Sequence, residues 1–485
     1  TNERRDERSS ERPQKDEQQQ CTHSFRLVRA TTFEVKNKML VTIATSAVTS
    51  STFISNISPL RTTTGELFDA HDGNTMQLAN GSFVRFAMGY LHCNENPGEH
   101  AMGCGQFRNN TVGVWSSPTL ASGTWSLVQS FTPSDAGWPN CTYYRVHVAQ
   151  ESGGAYVMWL NGQEGKDNTC DACSPYMKKC FLAGVAQTLD APFKYKNVVE
   201  DLRYHPYGVG DFSLFSDSGV AYVIHKLAGS APGVLAHRMT VQRLRGDLLG
   251  GVTPNASKVR PVPWNSTAPQ PGCSAGIFGA PFVEAPELFK RKGIFYGLFG
   301  QCCAFCEQGS GIGVYTSTAS PLGPWSEQTR NIGCMAGTGT TGTAVSIGSQ
   351  CGCAMAEPSV YDGAKECNAA RAKSNINAVT YAQQNSVITV KKNPSQRALL
   401  NSNRGGGLGG HGDAPWDGFT FIWTGDRWNS ACTARVKAQG LPATDVELHC
   451  DKAYDLQYWA PLEWDETTTP HPLPKQLVWR NNFTF

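Results

Sequence analysis

From about residue 40 onward, short runs of strand-forming residues alternate with turns rich in Gly, Asn, Asp and Pro. Ser82–Tyr90 (SFVRFAMGY), Thr111–Ser116 (TVGVWS), Ala155–Leu160 (AYVMWL), Val220–His225 (VAYVIH), Gly293–Phe299 (GIFYGLF) and Gly311–Thr316 (GIGVYT) are examples. β-branched and aromatic runs bounded by turn residues predict strands, and many short strands in series predict a sandwich, barrel or propeller. Amphipathic segments of helical length are hard to find. A weak internal repeat favours the propeller. Gly113–Val128 (GVWSSPTLASGTWSLV) resembles Gly313–Gln328 (GVYTSTASPLGPWSEQ), and Asp211–His225 resembles Ala285–Phe299 as a strand pair across a short polar turn. A recurring strand pair is a blade-like unit. Five blades with insertions would fill residues 40–485, so the expected fold class is all-β, a five-bladed β-propeller.

Two segments interrupt the pattern. Residues near 332–375 are rich in Gly, Thr and Cys, and residues near 395–415 contain RGGGLGGHGD. Both read as surface insertions, and neither ends in the Gly-Lys-Ser/Thr of a phosphate-binding loop. At the other end, residues 1–20 have no large apolar side chain and mix both charge signs, so 1–39 is expected to be a charged tail or stalk with a lead-in.

Composition narrows the class. The chain has 485 residues, of which 40% are hydrophobic, 10% aromatic and 17% charged, enough apolar material for a large core. The net charge of +2 argues against nucleic acid or an anionic membrane as the main partner. The most apolar stretch, Met39–Thr49, is too short and too rich in Ser and Thr to span a bilayer. No secretory leader is visible, which reads as a mature or trimmed form. Seventeen cysteines exceed what a reducing compartment favours, and their spacing lacks paired zinc-ligand signatures, so disulfides are expected. An odd count leaves at least one thiol free or bonded to another chain. N-glycosylation sequons fall at Asn56, Asn80, Asn109, Asn140, Asn255, Asn265 and Asn482, and N-glycans are expected at some of them. The expected location is secreted, extracellular or cell wall, or the lumenal part of an anchored protein.

No G-x-S-x-G elbow and no HExxH helix occurs. What remains is carboxylates at strand–turn junctions beside aromatics, a pattern suited to sugar chemistry. Glycoside hydrolysis needs one carboxylic acid to protonate the leaving oxygen and a second group to direct water or attack carbon.

VEAPELFKRKGIFYGLFGQC at Val283–Cys302 resembles the acid-bearing strand of glycoside hydrolase family 43, a family of five-bladed propellers. The resemblance implies Glu284 as general acid. Gly210–His225 is similar to the family strand whose Asp orients the acid and raises its pKa, which implies that role for Asp211. The family's preceding Arg is replaced here by Gly210. DAHDGNTM at Asp69–Met76, YRVHV at Tyr144–Val148, and FIWTGDRW at Phe421–Trp428 with LQYWAPLEW at Leu456–Trp464 resemble the exo-β-1,3-galactanase-like subgroup. In the second of these a family Glu is replaced by Tyr144.

The implied base is open. AQQNSVITV at Ala382–Val390 can be matched to the subgroup's Gln-bearing strand, which gives Gln384. Asp72 and nearby Asp69 offer an ordinary carboxylate instead, and loss of a functional base is the third reading. Glu287 is an alternative acid. His71, Arg145, Tyr144 and Asp69 are candidate sugar contacts, although His71 could be a core histidine and Arg145 a strand-edge ion pair. Trp428 and Trp459 fit propeller core better than a sugar platform, and Asp426 with Arg427 fits an internal ion pair.

The expected activity is exo-cleavage of β-1,3-galactan or arabinogalactan with inversion, the partner being a poly- or oligosaccharide. No cofactor is expected, and a structural Ca2+ is left open. The rivals are a carbohydrate-binding propeller without catalysis and a structural extracellular glycoprotein.

Overall fold

The computed structural model describes residues 52–90, 110–132, 137–163, 170, 172–173, 179–202, 209–227, 238–253, 268–279, 283–301, 311–333, 379–392, 418–427 and 452–484. The expected tail and most of both expected insertions lie outside these residues. Among the described residues the structure is almost wholly β, the exception being a 3-10 turn at Lys452–Tyr454. No helix among them is long and apolar enough to cross a membrane.

Strand β1 (Phe53–Ser55) pairs with β22 (Asn482–Thr484), which ties the two ends together. Among the described residues, antiparallel meanders lie between them, the first two joined into one eight-stranded sheet by a single parallel bridge from Gly73 to Val146. The first is β2 (His71–Gln77), β3 (Phe83–Gly89), β4 (Thr111–Ser117) and β5 (Ser126–Phe131); the second is β6 (Thr142–Gln150), β7 (Tyr156–Gln163), β8 (Lys179–Ala186) and β9 (Lys194–Val198). The third is β10 (Val209–Asp217), β11 (Val220–Leu227) and β12 (Arg238–Arg243). The fourth is β13 (Val283–Arg291), β14 (Ile294–Gln301), β15 (Ile312–Ser317) and β16 (Ser326–Asn331). The fifth is β17 (Gln383–Lys391), β18 (Phe419–Asp426) and β19 (Gln457–Pro461), followed by the short pair β20 (Trp464–Asp465) and β21 (Leu473–Pro474).

Turn chemistry explains why the repeat was visible. Asp217 pairs with Val220 across Ser218-Gly219, and Arg291 pairs with Ile294 across Lys292-Gly293. Both dipeptides have positive φ throughout, 52° and 77° in one, 50° and 82° in the other. Two such residues make the tight turn whose twist matches that of paired strands. The two repeated strand pairs are thus the first two strands of the third and fourth meanders. The other repeat, Gly113–Val128 with Gly313–Gln328, forms the third and fourth strands of the first and fourth meanders.

The first strands pack in a closed circuit. β2 lies against β6, β6 against β10, β10 against β13, β13 against β17, and β17 against β2. A separate apolar core fills each junction. Phe86, Val146 and Leu160 join the first meander to the second. Trp159, Phe181 and Phe212 join the second to the third. Ile224, Leu288 and Phe299 join the third to the fourth. Leu298, Val387 and Trp423 join the fourth to the fifth. Ala87, Trp115, Ile388 and Trp459 join the fifth back to the first. Each fully buried side chain of this kind contributes about 1.5–3 kcal/mol, so every junction is held by its own core.

Disulfides join Cys141 to Cys170 and Cys173 to Cys180 in the second meander, and Cys273 is also disulfide-bonded. Cys170 and Cys173 therefore belong to two bridges rather than to a shared metal. One sequon is corrected. Asn56 is fully buried, its Nδ2 donating to the Trp459 and Arg480 carbonyls and its Oδ1 accepting from the Trp459 amide, so no glycan fits there. Asn80, Asn140 and Asn482 are exposed, while Asn109, Asn255 and Asn265 lie outside the described residues.

Candidate active site

The five inner strands share one irregularity. The register slips between His71 and Gly73 in β2, Tyr144 and His147 in β6, Val209 and Phe212 in β10, Glu284 and Glu287 in β13, and Gln384 and Val387 in β17. A β-bulge leaves its extra residue out of the ladder and re-aims a side chain. Asp72, Arg145 and Ala285 adopt left-handed φ values of 39°, 54° and 47° at these bulges. All five lie near the N-terminal ends of their strands. Antiparallel pairing brings the C-terminal ends of the second strands to the same end, where Lys226 and Asp426 sit.

Side chains from one bulge satisfy the backbone of another. Asp72 Oδ2 accepts from the Arg145 amide at 3.0 Å, Asp211 Oδ2 from the Ala285 amide at 3.0 Å, and Asn385 Oδ1 from the Gly73 amide at 3.0 Å. Asp426 Oδ2 accepts from the Asp72 amide at 2.9 Å. These bonds satisfy backbone donors that the bulges remove from the ladders.

Arg145 is the hub. Its guanidinium lies 3.1 Å from Asp72 Oδ1 and 3.7 Å from Asp211 Oδ2, and it donates to the backbone carbonyls of Gln384 and Asn385. Burial works against its charge, but the fields of Asp72, Asp211, Asp426 and Glu284 outweigh burial and hold its pKa above the ordinary value. Asp72 is pushed up to about 6, mainly by burial and further by Asp426 and Asp211, with Arg145 opposing. Tyr144 stands beside them, its phenol raised by burial and by Asp72 and Asp211.

Glu284 meets a different cation. Lys226 Nζ donates to its Oε1 at 2.7 Å. The side chains of Glu284, Asp72 and Asp211 keep 12%, 17% and 21% of their surface open, so all three can be reached from outside.

Other expected contacts fall elsewhere. Gln384 is 1% exposed; its Nε2 donates to the carbonyls of Ala285 and Leu298, and its Oε1 accepts from the Trp423 indole. Both amide hydrogens are thus committed to joining β17 to β13 and β14, an arrangement that leaves it poorly placed to hold a water. His71 is buried, its Nδ1 3.4 Å from Asp426 Oδ1 and its Nε2 3.6 Å from Asp69 Oδ1. Asp69 Oδ1 also accepts from the Tyr90 amide, which caps β3. Trp459 is core, its indole bonded to Gln457, and Trp428 lies outside the described residues. Asp426 faces Asp72 and His71, whereas Arg427 donates to the Asn56 carbonyl and lies over Trp479, in place of the expected contact with each other. Glu287 is buried, and burial raises its pKa well above the usual carboxylate range, against the pull of Arg145.

Sequence reading missed Lys226. The only trace was Gly210: a glycine where the resemblance expects Arg leaves room for a cation to arrive from the paired strand.

No family profile and no curated protein matches the sequence. Solved structures do. One is a family 43 β-1,3-galactosidase, matched over 90% of this chain with 16% identity and a TM-score of 0.51. This chain spans 64% of that protein's length. A second family 43 β-1,3-galactosidase, solved with galactodeoxynojirimycin, matches over 89% of this chain and its own entire length, with 15% identity and a TM-score of 0.50. The fold is therefore one shared with glycoside hydrolases of family 43.

Proposed function

We propose that this chain is a glycoside hydrolase built as a five-bladed propeller, each meander being one blade, and that it removes β-1,3-linked galactose by inversion. Glu284 is the general acid, Asp211 orients it through the Ala285 amide, and Asp72 is the base that takes a proton from the attacking water. The observation that carries the reading is the convergence of Glu284, Asp211 and Asp72 around Arg145 at one end of the closed circuit, with all three side chains partly open. A base titrating at about 6 is ionised at neutral pH and still basic enough to accept a proton. The sugar is inferred from the two galactosidases that share the fold. Exposed sequons and the disulfides support a secreted, glycosylated protein.

The test is hydrolysis of β-1,3-galactobiose followed by proton NMR. Inversion releases α-galactose first, and Glu284→Gln slows product formation about 10²–10⁴-fold. Binding without product, unchanged by that substitution, would overturn the reading. It would favour a carbohydrate-binding protein, an alternative that the Lys226–Glu284 ion pair itself supports, since an ammonium stabilises the charged form of a carboxylate.

A further inference from the structure

We propose that Lys226 is the positioning residue that charges the acid: it delivers to Glu284 the proton that Glu284 donates. The inference rests on the glycosidase reading above.

The geometry comes from the bulge in β10. The register runs from Val209 opposite Leu227 to Phe212 opposite His225, so Gly210 and Asp211 bulge opposite Lys226. A Cβ on Gly210 would stand 2.2 Å from Lys226 Cε and 3.0 Å from its Cβ. The missing side chain is therefore the groove along which the lysine stem lies. It carries Nζ from the third meander to Glu284 Oε1 in the fourth. Asp211, one residue along, takes the Ala285 amide. One bulge thus grips both the carboxylate and the backbone of the next.

The chemistry follows from burial. A general acid must hold a proton when the glycosidic oxygen arrives, and a carboxylate paired with an ammonium does not. The pair keeps only 8% and 12% of its side-chain surface open, and a sugar seated over it removes the remaining water. Drying disfavours two separated charges relative to a neutral amine and a neutral acid. One proton then passes from Lys226 Nζ to Glu284 Oε1. Glu284 gives that proton to the glycosidic oxygen as the C–O bond breaks and its electron pair stays on that oxygen. Water bonds to the anomeric carbon from the other face and yields a proton to Asp72. Once product leaves, Asp72 gives its proton to solvent and the amine takes one up.

The surroundings favour the transfer. Among the described residues, Lys179 on β8 is coupled to both members of the pair and Arg145 on β6 to Glu284, while Asp211 on β10 counters the push on Lys179. Lys179 is lowered to about 8, by burial first and then by Lys226. Repulsion is mutual, so Lys179 also presses Lys226 to give up its charge. Lysine suits this task because a buried ammonium can release its proton, which a guanidinium does not.

Lys226→Arg separates transfer from support, since arginine keeps the ion pair. On β-1,3-galactobiose the K226R variant should lose about 10²-fold or more in kcat. On a dinitrophenyl β-galactoside, whose leaving group needs no proton, its loss should be much smaller. In Lys226→Met the acid titrates alone, and the alkaline limb of kcat moves to lower pH. Carbon NMR of the Glu284 carboxyl, assigned with Glu284→Gln, should report a carboxylate in the free protein and a carboxylic acid with thio-linked β-1,3-galactobiose bound. Wild-type turnover with K226R equally active on both substrates, or a carboxylate in both NMR states, overturns the inference alone. A wild-type protein that hydrolyses no β-galactoside overturns the glycosidase reading and this inference with it.

Discussion

Two carboxylates on different meanders are paired with two different cations. Asp72 has both oxygens on Arg145, one on its backbone amide and one on its guanidinium. Glu284 is paired with the flexible ammonium of Lys226. Arginine is a planar, permanently charged fork that holds a partner in place; lysine is a point charge that can part with its proton when buried. The pairing thus separates a group held in one ionised geometry from one whose proton can come and go. That division suits a base on one side of a sugar and an acid on the other.

The comparison is sharpest at the acid. Glu284→Gln should lower kcat on galactobiose about 10²–10⁴-fold, and thermal unfolding should come earlier too, since the largely buried Lys226 ammonium loses its carboxylate. An equal loss on a dinitrophenyl β-galactoside would show that Glu284 does more than donate a proton.

Asp72→Asn comes next, with a kcat loss of about 10²-fold or more. The wild-type kcat/KM should fall as pH drops through about 6, because Asp72 must be ionised to accept a proton. Stability follows the opposite sign. A carboxyl raised from 3.8 to about 6 on folding favours the protonated fold, so Asp72 weakens the fold as pH rises between those values. Urea titrations across that window should show the slope in wild type and its absence in Asp72→Asn.

Gly210→Ala should cost about 1–3 kcal/mol, since the new Cβ meets the Lys226 stem and something must shift. Denaturation measures that loss, and kcat should fall with it as Nζ is displaced. The smallest effect belongs to Glu287→Gln. Burial raises this carboxyl well above the usual range and so favours its neutral form, which a neutral amide resembles, so stability and kcat should change by less than about 1 kcal/mol. Its raised pKa means that wild-type stability declines as pH rises above the ordinary carboxylate range, and the substitution should flatten that decline. A large kcat loss in Glu287→Gln would move the acid role to it.

Much of the fold was legible because its signals are local. Ser218-Gly219 and Lys292-Gly293 announce tight turns, and the strand pairs around them occupy equivalent places in neighbouring meanders. The repeat from Gly113 to Val128 found its counterpart for the same reason. The candidate residues could be picked out singly, but their arrangement could not. Glu284, Asp211, Asp72, Tyr144 and Arg145 do come to one end, but Gln384 turns into the core and Asp426 turns to Asp72 instead of to Arg427. A strand pattern tells which residues share a face; it does not tell which way a bulge re-aims them.

Residue order by itself determined the strands, their turns and the supply of carboxylates, since alternation and turn preference act over a few neighbouring positions. Closure of the circuit decided the rest. Arg145 reaches an aspartate 73 residues away, Lys226 a glutamate 58 residues away, and Asn56 is buried against Trp459, 403 residues along the chain. Such partners are brought together only by the packing of one meander on the next, and the charge each group carries depends on who arrives and how little water remains.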